Sequence, residues 1–205
     1  MTGSGDTVEK YVLIFDFCSS TSIMDDLILS ERQERWPKLL TDIKNFLEEE
    51  SVAHGFEVYK FIGDGWILLF NNDFPPKELF SFLNRLCNKY NDIYKRYIRP
   101  ILSTTINNVG ITFGLEKGGL IPIGMCKQSE YIGRPLNIAA RLQNAIKDKD
   151  SRPQGKVLMS KKVYDEVRRG GISRNYKVYS VTRKLRNISG GERYPAIKLI
   201  LCENP

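Results

Sequence analysis

Two short β-rich segments, residues 56–62 and 66–70, are separated only by Gly63-Asp64-Gly65, and this run constrains the fold more than any other. A connection that short makes the strands antiparallel neighbours, with glycine supplying the positive φ that a tight tip needs. Asp64 is thereby placed at one end of a sheet.

The segments around the hairpin predict what packs beside it. Residues 10–17, with Tyr11-Val12-Leu13-Ile14-Phe15 at their centre, read as a strand ending at Cys18-Ser19-Ser20-Thr21-Ser22, a polar cluster suited to opening a helix. Trp36, Leu39, Leu40, Ile43, Phe46 and Leu47 recur every three or four positions, predicting an amphipathic helix over 31–50 that Pro37 starts or kinks. After a break at 72–76, Leu79, Phe82, Leu83, Leu86, Tyr90 and Ile93 trace a second long helix. Then come a strand over 104–114, a glycine-rich loop at Lys117-Gly118-Gly119, a strand over 120–124 and a helix over 135–147. The remainder reads strand, helix, strand, turn, strand, with Ser189-Gly190-Gly191 at the turn and 196–201 as the last strand. The order β, α, β, β, α, β predicts a layered α+β domain of ferredoxin-like topology, an antiparallel-rich central sheet with flanking helices. With 205 residues, 41% apolar, a single domain over 1–205 is expected, residues 1–9 forming a flexible N-terminus.

Several chemistries are excluded early. Cys18, Cys87, Cys126 and Cys202 lack the paired spacing of a zinc or thiol redox motif, and a reduced cytoplasmic setting is expected. His54 is the single histidine, so no Ser-His-Asp triad or histidine-rich metal site can be assembled, and a surface loop role is expected for it. The longest apolar runs, 11–15 and 66–70, fall far short of a membrane span, and the polar start does not resemble a signal peptide. A net charge of +7 suggests a polyanionic partner without separating a triphosphate from a nucleic acid. Catalysis must therefore run on carboxylates, metal ions and basic groups.

Asp16 and Asp64 both stand at the ends of apolar strands. If the first strand lies beside the hairpin, two hard carboxylates share one edge of the sheet, the donor set that Mg²⁺ or Mn²⁺ prefers when a phosphate supplies further oxygens. Either aspartate alone is equally well explained as a turn or cap residue. In Gly133-Arg134-Pro135-Leu136-Asn137-Ile138-Ala139-Ala140-Arg141, Asn137 and Arg141 are four apart and project from one helix face, where they can hold ribose and phosphate oxygens together; alone, such a pair is more often a solvated face.

Taken in order, these segments resemble the class III adenylate and guanylate cyclases over residues 11–143. The resemblance rests on the strand-end Asp16 with its Ser/Thr cluster, Lys60-x-x-Gly63-Asp64-Gly65, Val109-Gly110-Ile111-x-x-Gly114, and Gly133-x-x-x-Asn137-x-x-x-Arg141. It implies the cyclase catalytic fold and two divalent cations on Asp16, Asp64 and the Phe17 backbone carbonyl. It also implies ribose orientation by Asn137 and phosphorane stabilisation by Arg141. In the family these two groups face the aspartates across subunits, so a homodimer with its active sites at the interface is expected. Many members carry an Arg just before the Val-Gly-Ile segment; this chain has Asn108, so the triphosphate must be held differently, with Lys184 and Arg186 as candidates by charge and location, equally well explained as hairpin-surface cations.

Lys60 and Glu130 match the base-recognition positions. An ammonium donates and an ionised carboxylate accepts, a pattern that adenine, cytosine or, in reversed order, uracil can satisfy. A compact domain with a Phe15-Asp16-Phe17-Cys18-Ser19-Ser20-Thr21-Ser22 metal loop also resembles the bacterial Pycsar pyrimidine cyclases, which make cyclic UMP or cyclic CMP in antiphage defence. UTP is the expected substrate, with an adenylate cyclase as the alternative. A non-catalytic nucleotide- or RNA-binding relative is the second alternative, although neither a nucleic acid nor a membrane is the expected partner. A diguanylate-type synthase has no support, because no Gly-Gly-Asp-Glu-Phe-like run is present.

Overall fold

The computed structural model describes residues 7–125, 128–147, 149–172 and 176–201. Cys126 and Cys202 lie outside them, as do residues 1–6 of the expected flexible N-terminus. Strand β1 (Val8–Cys18) is followed by helices α1 (Ser20–Leu29) and α2 (Arg35–His54), the hairpin β2 (Glu57–Phe61) and β3 (Gly65–Asn71), and helix α3 (Pro76–Tyr97). Then come β4 (Gly110–Met125), β5 (Gln128–Ile132), α4 (Arg134–Lys147), β6 (Lys156–Ser160), α5 (Lys161–Arg169), β7 (Lys177–Arg183) and β8 (Tyr194–Ile200).

The sheet order is β2-β3-β1-β4-β6-β8-β7, with β5 paired to the far half of β4. Its first four strands, β2-β3-β1-β4, are the ferredoxin-like arrangement that the element order predicts. Neighbours are antiparallel throughout except for β4 and β6.

Alternation along β1 divides the interior into two faces. Tyr11, Leu13, Phe15 and Phe17 join Leu39 and Ile43 of α2 and Leu86 and Tyr90 of α3 in the main core. Val12 and Ile14 belong to the opposite face, where they pack with Ala139 of α4. Asp16 continues this second series. Helix α4 lies directly on β4 because Gly114 has no side chain: a Cβ there would stand 2.0 Å from the Ala139 carbonyl oxygen. No helix among the described residues is long and apolar enough to cross a membrane.

Five details depart from the sequence reading. The strand predicted over 104–114 begins only at Gly110, because Asp26 binds the preceding segment: its carboxylate accepts from the Ser103 and Thr104 amides at 2.9 and 2.8 Å and from the Thr104 hydroxyl at 2.6 Å. Gly118 and Gly119 form no loop but lie inside β4, paired with Lys10 and Glu9 of β1. Strand β5 was not foreseen, and β1 starts at Val8, inside the stretch assigned to a flexible terminus. His54 is not a loop residue; it ends α2 and meets Arg85 of α3 at 3.1 Å, within a cluster holding Glu50 and Glu78.

Candidate active site

The hairpin tip and the end of β1 converge because Asp16 is registered opposite Gly65. The approach is close. A Cβ on Gly65 would lie 2.0 Å from the Phe15 carbonyl oxygen, while Gly63 turns the tip at φ +86°. The Phe17 amide donates to the Asp64 backbone carbonyl at 3.3 Å, and Ser20, the first residue of α1, donates its hydroxyl to the Asp64 carboxylate. From α4, the Lys147 ammonium reaches over to the Asp16 carboxylate and to the Phe17 carbonyl, the latter at 3.0 Å.

The two carboxyls behave as a pair. Burial and a hydrogen bond shared with Asp64 push Asp16 up to about 6, although Lys147 pulls the other way. Asp64 moves down: burial opposes this, but the hydrogen bonds from Asp16 and Ser20 and the Lys147 charge outweigh it. As pH falls, Asp16 therefore takes up a proton before Asp64 does. Beneath them, burial raises the Cys18 thiol to about 12, which leaves it unreactive.

A cation fits here, because an ammonium already takes the Asp16 carboxylate and the Phe17 carbonyl. Among the described residues no group of three or more His, Cys, Asp or Glu side chains could hold a metal ion. Two carboxylates and a carbonyl would hold one weakly unless phosphate oxygens complete the shell.

Asn137 and Arg141 lie on the other side of α4. Ile138, Ala139, Leu142, Gln143, Ala145 and Ile146 form its buried face, and the Gln143 amide donates to Thr112 of β4 at 2.8 Å. Asn137 and Arg141 are exposed, and among the described residues the side chain of neither makes a hydrogen bond or ion pair. The structure thus does not bring them to Asp16 and Asp64 within one chain.

Lys60 and Glu130 are brought together, β2 to β5, with Nζ 2.8 Å from Oε1. Tyr59 is an unforeseen third member: its hydroxyl donates to Oε2 of Glu130 and accepts the Tyr131 amide at 2.9 Å. The Lys60 ammonium, followed by the Tyr59 hydroxyl, holds the Glu130 carboxyl below the usual range. Glu130 is thus fixed as an ionised acceptor.

Asn108 has φ +59°, a left-handed conformation that Asn tolerates better than Arg does. Lys184 and Arg186 follow β7, flanking Leu185, which packs under α4 with Ile138 and Leu142. They sit at the end of the sheet away from Asp16, beside the half of α4 that carries Asn137. The exposed Lys184 pairs with Glu192 at 2.9 Å.

No family model and no curated relative matches the sequence. Solved structures do resemble the fold. The adenylyl cyclase CyaB from P. aeruginosa aligns over 97% of this chain and 96% of its own at 17% identity and a TM-score of 0.71. The guanylyl cyclase Cya2 aligns over 96% and 93% at 17% identity and a TM-score of 0.67. An adenylate cyclase from Trypanosoma brucei, in its monomeric state, aligns over 93% and 89% at 15% identity and a TM-score of 0.62. The chain has the α+β fold of the adenylyl and guanylyl cyclase catalytic domains.

Proposed function

We propose that the chain is a nucleotidyl cyclase that converts a nucleoside triphosphate into a 3′,5′-cyclic monophosphate and pyrophosphate, acting as a homodimer with sites at the interface. The observation that carries this reading is the cation position between Asp16, the Phe17 carbonyl and Asp64, at the end of a cyclase-type sheet.

Asp16, Asp64 and the Phe17 carbonyl are the groups that would hold two divalent cations, Mg²⁺ or Mn²⁺. Once bound, the ions lower the pKa of the ribose 3′-hydroxyl and neutralise the β- and γ-phosphates. The 3′-hydroxyl gives its proton to solvent water, and its oxygen bonds to the α-phosphorus as the α–β bridging oxygen leaves with pyrophosphate. Arg141 of a second copy meets the charge that builds on the α-phosphoryl oxygens, and Asn137 fixes the ribose. Lys184 and Arg186, beside the same half of α4, would hold the triphosphate tail.

For the base we favour uracil: O4 would accept from Lys60 and N3–H would donate to Glu130. Glu130 is held ionised, as such an acceptor must be. UTP would give cyclic UMP, or CTP cyclic CMP, as a signal in antiphage defence. Adenine satisfies the same pair through N1 and the N6 amine, so an adenylyl cyclase is the second reading. Supplying ATP, GTP, CTP and UTP separately with Mn²⁺ and weighing the products by mass spectrometry tests both. Dominant cyclic UMP is expected. Dominant cyclic AMP replaces the pyrimidine reading, and no cyclic product from any of the four overturns cyclisation itself.

A further inference from the structure

Lys147 ends α4, beyond the Asn137/Arg141 run, where a terminal lysine serves ordinarily as a partner for the helix dipole. Its ammonium does something more specific. It donates to the Asp16 carboxylate and to the Phe17 carbonyl, one anionic and one neutral oxygen from consecutive residues, a pair that also suits a hard divalent ion. The neighbouring Asp64 carboxylate feels the same charge. Two cations cannot share these oxygens: at a few ångströms their repulsion amounts to several kcal/mol near a protein surface. The Lys147 side chain is 33% exposed and hangs from the last turn of its helix. It can swing into solvent without disturbing the face of α4 that packs on the sheet.

Resting on the cyclase reading above, we infer that Lys147 is a tethered competitor that occupies the first divalent-cation position in the nucleotide-free protein and leaves it when the ion binds. A free ion then meets a site whose charge is already partly cancelled. An ion arriving on a triphosphate brings its own phosphate oxygens, so loading is biased toward the metal–nucleotide complex.

The test is Mn²⁺ binding to the full chain without nucleotide, read from the electron paramagnetic resonance signal of free Mn²⁺. Lys147→Met keeps most of the stem and drops the charge. It is expected to bind Mn²⁺ about tenfold more tightly than the wild type, the effect of removing a partly buried competing ion pair. Lys147→Arg, which keeps the charge, should stay near the wild type. Equal or weaker binding by Lys147→Met overturns the competition. Asp16→Asn separates this inference from the one it rests on. If Asp16→Asn abolishes binding while Lys147→Met leaves it unchanged, the metal site stands and the competition fails. If Asp16→Asn leaves the wild-type affinity intact, the metal assignment falls and takes the competition with it. A second measurement needs no variant: acetylation of the Lys147 amine, followed by peptide mass spectrometry, should run severalfold faster with Mn²⁺ than without. An unchanged rate overturns the inference.

Discussion

The two halves of the candidate site are finished to different degrees. At the end of β1, Asp16 and Asp64 are tied to each other, to Ser20 and to Lys147, and the Phe17 carbonyl is also taken. On the outer face of α4, Asn137 and Arg141 are exposed and, among the described residues, bare. A guanidinium left without a partner costs little in water, whereas a half-buried pair of carboxyls must be neutralised on the spot. One half is a site that the chain stabilises by itself. The other is a surface whose chemistry needs something brought to it, and on the proposed reading a second copy of the chain would put both halves into one site.

The largest effect tests whether the halves belong to different chains. Asp64→Ala and Arg141→Ala are each expected to lower kcat by about 10²-fold or more, the usual cost of a lost charge-stabilising group. Mixing the two inactive variants should then restore about a quarter of wild-type activity, because half of the randomly paired dimers contain one intact interfacial site. Turnover of the mixture that stays at the level of its components would place both halves in one chain. Turnover by Asp64→Ala alone near the wild-type value would remove the carboxylate pair from the reaction.

A smaller effect probes the finished half. Asp16, ordinarily near 3.8, is raised to about 6, so its contribution to stability is present in full below about pH 4 and disappears as pH rises through 6. Metal-free wild type should lose stability relative to Asp16→Asn between pH 4 and pH 7. After allowance for solvent screening the loss is on the order of 1–2 kcal/mol, visible as a falling difference in Tm. Parallel Tm curves for the two proteins would show that burial of Asp16 carries no proton linkage.

The Lys60–Glu130 pair tests a region where β2 and β5 of one chain supply the contacts. Tyr59→Phe removes the hydrogen bond to Oε2 of Glu130 and leaves the Tyr131 amide unpaired, a loss of about 1–2 kcal/mol. If Tyr59 fixes Glu130 for base recognition, kcat/KM should fall about tenfold for the preferred nucleotide and less for the others. An equal fall for all four nucleotides would make Tyr59 merely structural.

What the sequence disclosed follows the same division. The placement of Asp16, Asp64, Asn137 and Arg141 was legible because their spacing is local: a strand end, a Gly-Asp-Gly tip, an i, i+4 pair on a helix. Residues whose roles depend on tertiary approach were not. Lys147 lies 131 positions from Asp16, and nothing near it in sequence signals that it reaches there. Tyr59 precedes Lys60 directly, so ideal strand alternation would send their side chains to opposite faces. The register shift between Val58 and Lys60 breaks that alternation, and both reach Glu130. Gly118 and Gly119 imitated a loop for a packing reason: a Cβ on the first would meet Pro135 Cγ at 2.9 Å, and on the second Thr7 Cγ2 at 2.3 Å. Small residues in β4 serve close approach there, and composition does not distinguish that from a turn.

The proposed triphosphate groups belong to one half or the other, and their removal should have the least effect. Lys184 and Arg186 flank Leu185 under α4 and are exposed, so they should act with the Asn137/Arg141 half and contribute little to folding. The Lys184–Glu192 pair is a surface contact whose loss costs about 0.5 kcal/mol or less, so Lys184→Ala should leave Tm nearly unchanged. Losing one screened phosphate contact should raise KM about threefold to tenfold for Arg186→Ala while kcat holds, the signature of binding shared by ground and transition states. The mixing experiment then assigns the chain. Against Asp64→Ala, the double variant Arg141→Ala/Arg186→Ala should give the same restored KM as Arg141→Ala alone, because the intact interfacial site draws α4 and its flanking hairpin from the other protomer. A KM that stays raised in that mixture would put Arg186 on the side of the aspartates, and the division between the two halves would have to be redrawn through the hairpin.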